Sequence, residues 1–210
     1  MTIKRVLFLL LALFPIAGFA DDAVLAELLA RIRQTGQAQF SYEETRILEL
    51  AAEPWHGQGV MLSAADGSLV KLQLQPTRVI MAITDQRMLY WDPQQNQRHN
   101  AALDSAGPAG EQIKVFRTIL QGRADELQTS YDISAEKQGK QWTLRMTPKP
   151  ELTADALPAI EIAGDDKDEQ RRILIKQADG ESTEYRMQKA SEAQQQEYSL
   201  QRLLLEASGE

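Results

Sequence analysis

The chain has 210 residues, 43% of them hydrophobic and 25% charged, with a formal net charge of −7; this balance suits one globular domain and excludes intrinsic disorder. Excess acid repels nucleic acid and anionic lipid surfaces alike, so nucleic acid is not an expected partner, and any work at a membrane has to run through apolar contact or a basic partner. Cysteine is absent, which excludes a disulfide framework and a thiol-linked lipid anchor.

In chain order, residues 1–20, MTIKRVLFLLLALFPIAGFA, place Lys4 and Arg5 before an apolar run from Val6 to Phe14 and small residues ending at Ala20. This reads as a secretory signal peptide, because about nine strongly apolar residues are too few to span a bilayer. Cleavage after Ala20 would leave a soluble, unanchored periplasmic chain and, with Lys4 and Arg5 gone, a net charge of about −9. A helix should follow, capped by Asp21 or Asp22, with Leu25, Leu28, Leu29 and Ile32 as its apolar stripe and Gly36 as its stop.

The period then changes to two. Phe40, Tyr42, Glu44, Arg46 and Leu48 share one face of a strand that ends near Pro54. Gly59 to Ser63 and Ser68 to Leu74 form a hairpin about Asp66-Gly67, and Pro76 precedes a second hairpin, RVIMAITDQRMLYWDP, turning at Thr84 to Arg87. A half-exposed hairpin should alternate apolar with polar residues. This one is apolar on both faces, with Val79, Met81 and Ile83 on one and Ile80 and Ala82 on the other. Either protein covers both faces, or one lines a cavity for an apolar guest.

A weaker strand near Gln97 to Leu103 leads into the loop DSAGPAG, residues 104 to 110. A second helix follows, with Ile113, Phe116, Ile119 and Leu120 on one face, Val115 and Arg117 flanking it, and Gly122 as its stop. Strands resume at Tyr131 and Ile133, at Trp142, Leu144 and Met146, at Ile160 and Ile162, and at Ile173 to Ile175, the last turning at Asp179-Gly180 into Thr183, Tyr185 and Met187. Hairpin-length connections without βαβ alternation predict an antiparallel sheet. Residues 191–210 are either a last strand or a docking helix, built on Tyr198, Leu200 and Leu203 to Leu205.

Chemistry is sparse. His56 and His99 are the two histidines, and neither has a second ligand at metal spacing. No nucleophile motif is present, so no catalysis, metal or cofactor is expected. Glu44 and Arg46 read either as an exposed cross-face ion pair or as a latch at a cavity rim.

The order of these elements resembles one family: a leader, a short helix, the aromatic strand at Phe40, Gly57-Gln58-Gly59 opening the next strand, a Pro76-led strand to Asp85, Leu89-Tyr90-Trp91, Asp92-Pro93, the helix Ile113 to Leu120, and WTLRMTPK from Trp142 to Lys149. It is similar to the LolA-like periplasmic carriers of outer-membrane lipoproteins over roughly residues 1 to 190. The resemblance implies a mainly β (α+β) fold: an incomplete, curved antiparallel β-barrel over residues 21–190, with an N-terminal helix and a lid helix covering an apolar cavity. Ile113, Phe116, Ile119 and Leu120 would then be the lid. Where such carriers have Arg-Pro to hold the lid, this chain has Ala64-Ala65-Asp66-Gly67, and Asp85-Gln86 replaces a later Asp-Gly; a divergent member is expected.

Alternation and aromatic content select Phe40, Tyr42, Leu72, Val79, Met81, Tyr90, Trp142 and Leu144 as the cavity lining. The implied function is carriage of the acyl chains of a lipoprotein, lipid or lipid-linked product, as a monomer, between an inner-membrane exporter and an outer-membrane acceptor. Each methylene kept from water is worth about 0.8 kcal/mol, so a chain of about fifteen needs an escort. A periplasmic sensor that binds lipoproteins or a membrane partner, and a plain interaction domain with a solid core, are the alternatives.

Overall fold

The computed structural model describes residues 18–33, 36–103, 115, 117–119, 123–150, 157–167 and 169–210. Most of the leader, the loop 104–110, Ile113, Phe116, Leu120 and Gly122 therefore lie outside the described residues. Eleven strands form one open antiparallel sheet in the order β6-β5-β4-β3-β2-β1-β11-β10-β9-β8-β7. They are β1 Ala38–Ile47, β2 Trp55–Ser63, β3 Leu69–Gln75, β4 Val79–Ile83, β5 Arg87–Asp92, β6 Gln97–Ala102, β7 Tyr131–Gln138, β8 Gln141–Pro148, β9 Ala159–Asp165, β10 Gln170–Lys176 and β11 Ser182–Lys189. Each neighbouring pair is a hairpin apart from β1 with β11, which joins the two halves through a register pairing Phe40 with Lys189 and Ile47 with Ser182. The turn at Asp66-Gly67 forms as expected, with Gly67 at φ 82°, a conformation glycine adopts without a Cβ clash, and the Ser68 amide donating to Asp66 Oδ1 at 2.8 Å.

Helix α1 (Gly18–Ile32) runs through Asp21 and Asp22, so neither caps it, and it ends four residues before the predicted stop at Gly36. Its register still puts Leu28 and Ile32 inward, where both are fully buried. The helix packs on β7 and β8. Lys137 of β7 fastens it, contacting Glu27 at 3.0 Å and Asp166 at 3.3 Å. A continuous cluster on this face runs from Met61 of β2 and Leu69 of β3 through Phe40, Tyr42, Met187, Ile173, Ile162 and Leu144 to Tyr131 of β7. Because α1 and the residues Val115 and Ile119 join the same cluster, the sheet wraps this face around them, making an incomplete barrel with an inner and an outer side.

The C-terminal residues take the helical alternative. Helix α2 (Glu192–Glu197) starts at a capping box on Ser191, and α3 (Leu200–Ser208) follows. Leu200, Leu203 and Ala207, spaced three and four apart on one stripe, close over Val60, Leu62, Val70, Leu72, Ile80, Ala82 and Leu89 on the outer face of β2 to β5. Arg98 donates to the carbonyls of Glu206 at 2.5 Å and Ala207 at 2.9 Å, satisfying carbonyls that the helix end leaves unpaired. Arg78 grips Glu206 with two bonds, at 2.6 and 2.9 Å. Helix α3 therefore answers the two-faced hairpin: Ile80 and Ala82 lie beneath it, while Val79 and Met81 belong to the inner side.

Candidate functional site

The inner face brings together most of the residues selected from the sequence. Phe40, Tyr42, Trp142 and Leu144 lie buried in its cluster. Cross-strand register adds three more: Met81 stands opposite Lys71 and Tyr90, and Val79 opposite Gln73, all on the side of Met61 and Tyr42. Met81 and Tyr90 are half-buried, and the Tyr90 ring lies 5.8 Å from that of His99, which is exposed. Leu72 is the exception. It is fully buried on the outer face beneath α3, because its neighbour Lys71 takes the inward position and adjacent residues of a strand point to opposite sides.

Glu44 and Arg46 do meet, and they belong to a larger group. Glu44 is 1% exposed. Its Oε1 accepts from Arg46 Nε at 2.6 Å and from the Tyr185 hydroxyl at 3.0 Å, while its Oε2 accepts from Lys71 Nζ. Glu44 is thus an enclosed centre and not an exposed pair, and only Arg46, whose side chain is 35% exposed, reaches a rim. The local sequence makes room for this. Gly57 sits opposite Glu44 in β2, and a Cβ there would fall 2.3 Å from the Trp55 ring. That ring fills the space instead and carries the Arg46 guanidinium 4.6 Å from its centroid.

Burial would by itself push the Glu44 carboxyl up, but Lys71 and Arg46 outweigh it and hold the group below the usual carboxylate range. For Lys71 the balance falls the other way: burial lowers its pKa despite the Glu44 charge. Burial also raises the pKa of Tyr42 and Tyr185, helped by Glu44, and takes Tyr131 up to about 12. The Tyr42 and Tyr185 rings meet edge to face at 6.0 Å, with the Lys71 ammonium 5.3 and 5.1 Å from their centroids. These phenols stay neutral donors under ordinary conditions.

Two side chains outside the selected set hold notable places on the inner side. Lys71 carries a signal in hindsight, being a lone cation inside the apolar strand LVKLQLQ. Arg117 has none, because its partner is distant. Val115 and 117–119 are helical, and Val115 and Ile119 are buried in the inner cluster. Arg117, between them, donates to the Asp85 carbonyl at 3.2 Å and to Asp85 Oδ1 at 3.0 Å. The expected lid segment is therefore pinned to the β4–β5 turn, by an arginine on the segment itself. Among the described residues no group of three or more His, Asp or Glu could hold a metal, and no helix is long and apolar enough to cross a membrane.

On the outer face an open groove of mixed character and about 800 Å³ runs between β1, β9 to β11 and α2, lined by residues such as Ser41, Val60, Leu74, Arg172, Gln188 and Tyr198. It holds none of the residues selected for an apolar guest except Tyr42.

Fold and site define a class: an open antiparallel half-barrel whose largely apolar inner face is covered by helical segments. Among solved structures the chain is similar to a LolA superfamily protein from Nitrosomonas europaea, at 11% identity and a TM-score of 0.39 over 81% of this chain and 93% of that one. It is similar also to a protein domain from Vibrio parahaemolyticus described as an outer membrane lipoprotein-sorting protein, at 12% identity and a TM-score of 0.41 over 85% and 96%. A third likeness is to the Pseudomonas aeruginosa MucA/MucB complex, at 15% identity and a TM-score of 0.46 over 85% of this chain, which spans 61% of the matched one. No protein-family model matches the sequence, and no curated protein does. Likeness at this level leaves function to be argued from the chain's own geometry.

Proposed function

We propose that this protein is a periplasmic carrier that shields acyl chains of a lipoprotein, lipid or lipid-linked product on the way to the outer membrane, after export and cleavage near Ala20. The observation that supports this reading is how the inner face is covered. Helical residues Val115 and Ile119 fill it, yet the described polar tie of that segment to the sheet is Arg117 to Asp85, a residue whose side chain is 84% exposed. Arg117 itself is largely buried, and the apolar contacts of Val115 and Ile119 add to its bonds. A cover whose hold on the inner face is mainly apolar can exchange its place with hydrocarbon, which gains about 0.8 kcal/mol per methylene buried. Methionine and aromatic side chains suit the exchange, because Met61, Met81, Met146 and Met187 adapt to a flexible guest while large rings cover area at little entropic cost.

The test is displacement of a fluorescent fatty-acyl probe. Wild type should bind it, and Met81→Glu should sharply weaken binding by placing a carboxylate, opposite Lys71, where hydrocarbon would lie. Lys176→Glu, at an exposed position at the end of β10, serves as the control; Lys137 is unsuitable because it ties α1 to the sheet. Failure of wild type to bind, or equal binding by both variants, would leave a solid-core interaction domain as the better account. Export has its own check, since the mature N-terminus should fall near Asp21 in the soluble periplasmic fraction.

A further inference from the structure

The inner side is mostly apolar, with the Arg171 guanidinium 5.3 Å from the Phe40 ring and a cluster of charges in the corner around Glu44. In that cluster Glu44 supplies one negative charge, while Arg46 and Lys71 supply two positive ones. Glu44 and Lys71 are enclosed, and Arg46, with a side chain 35% exposed, carries the second positive charge at the rim. Three donors belong to the Lys71 ammonium, and among the described residues they have two partners, Glu44 and the Tyr185 hydroxyl at 3.5 Å. Beside them the Tyr42 hydroxyl, on a residue 2% exposed, has no hydrogen-bond partner in the described structure. An enclosed hydroxyl of this kind costs folding free energy that a ligand acceptor would recover. Around the corner lie the apolar side chains Phe40, Met61 and Leu69, with Phe40 and Met61 directly opposite one another in register.

We propose that Arg46, Lys71 and Tyr42 receive the singly charged head of an acyl ligand, a carboxylate or a phosphodiester, while its tail runs over Phe40, Met61 and Leu69. One negative charge balances the corner, the Tyr42 hydroxyl and the spare ammonium proton gain an acceptor, and Glu44 keeps its place as the anion that fixes Lys71 and Arg46. A neutral ester head could accept from the Tyr42 hydroxyl but would leave the surplus cation unbalanced, and its hydrogen bonds would lack the charge assistance an anion brings. The proposal rests on the carrier reading and narrows its ligand to monoanionic lipids.

Three competitors separate the two ideas: palmitate, palmitoyl-lysophosphatidylglycerol and methyl palmitate, each displacing a fluorescent acyl probe from the purified chain. One anion or both should compete about tenfold better than methyl palmitate, the factor expected of a single charge-assisted hydrogen bond, and whichever does so identifies the head as carboxylate or phosphodiester. Tyr42→Phe should weaken the anions more than methyl palmitate and so shrink that advantage, with the unliganded protein no less stable, because it removes an unpartnered group. Arg46→Gln, at the partly exposed rim, should act in the same direction. If methyl palmitate competes as well as both anions, or the variants weaken all three alike, the head site is wrong and the carrier reading stands. If none of the three displaces the probe, the carrier reading itself falls.

Discussion

The two faces of one sheet carry cores of different chemistry. Beneath α3 the outer core is built almost wholly from aliphatic side chains, with Leu62, Val70, Leu72 and Ile80 at or near zero exposure, and its helix is pinned by Arg78 and Arg98 at the C-terminal end. The inner core also holds branched residues such as Leu28, Leu144 and Ile162, but it adds Phe40, Tyr42, Tyr131, Trp142 and three methionines, and it encloses Glu44 and Lys71. Unbranched sulfur side chains and large rings tolerate a change of partner better than branched side chains alone. On the proposed carrier reading, stability belongs to the outer side and exchange to the inner side, and four measurements can break or sharpen that comparison.

The largest effect should come from the inner charge. Lys71→Met leaves the Glu44 carboxylate enclosed without its ammonium partner and should cost about 4 kcal/mol in urea unfolding. Adding Glu44→Gln should restore much of the loss, a rescue with no counterpart on the outer face. Next, Leu203→Ala opens a void under α3 and should cost about 3 kcal/mol while acyl-probe affinity stays unchanged; a parallel loss of affinity would mean that the outer core is not a separate layer.

A smaller loss is confined to acid. Glu44 is held below its unfolded value of about 4.3, so its contribution is complete above that value and disappears as the pH falls through the lower folded one. The melting temperature of wild type should therefore drop more steeply on acidification than that of Glu44→Gln, and parallel curves would show that the inner charge does not govern acid stability. The smallest effect on stability belongs to the exposed tie. Asp85→Asn should change it by less than about 1 kcal/mol yet raise amide hydrogen exchange at Val115 and Ile119 and speed probe uptake. Unaltered exchange there would show that Arg117 does not hold the segment in place.

Much of the fold was legible along the chain. Period-two alternation and turns such as Asp66-Gly67 and Asp179-Gly180 located the strands, because pleat and turn chemistry act within a few residues. The two apolar faces of the β4–β5 hairpin posed the choice between a second covering and a cavity without deciding it, and the tail offered α3 as one of its two readings. The site was legible only in part. Phe40, Tyr42, Trp142 and Leu144 fell on the inner side by simple alternation, whereas Leu72 was placed one position out of phase, since an apolar strand with Lys71 inward gives hydropathy no reason to choose the correct face.

By itself the sequence determined most of the strands and their turns, governed by contacts a few residues apart, and it left the tail open between strand and helix. What only the tertiary structure decided was every arrangement that depends on register between distant segments. Glu44 reaches Lys71 across 27 positions and Tyr185 across 141, and Arg117 reaches Asp85 across 32. A slip of one residue in any intervening pairing would turn these side chains to the opposite face. Enclosing Glu44 and Lys71 is tolerated only when their partners arrive together, and that meeting is a property of the assembled sheet, set by the β1–β11 seam that pairs Glu44 with Tyr185.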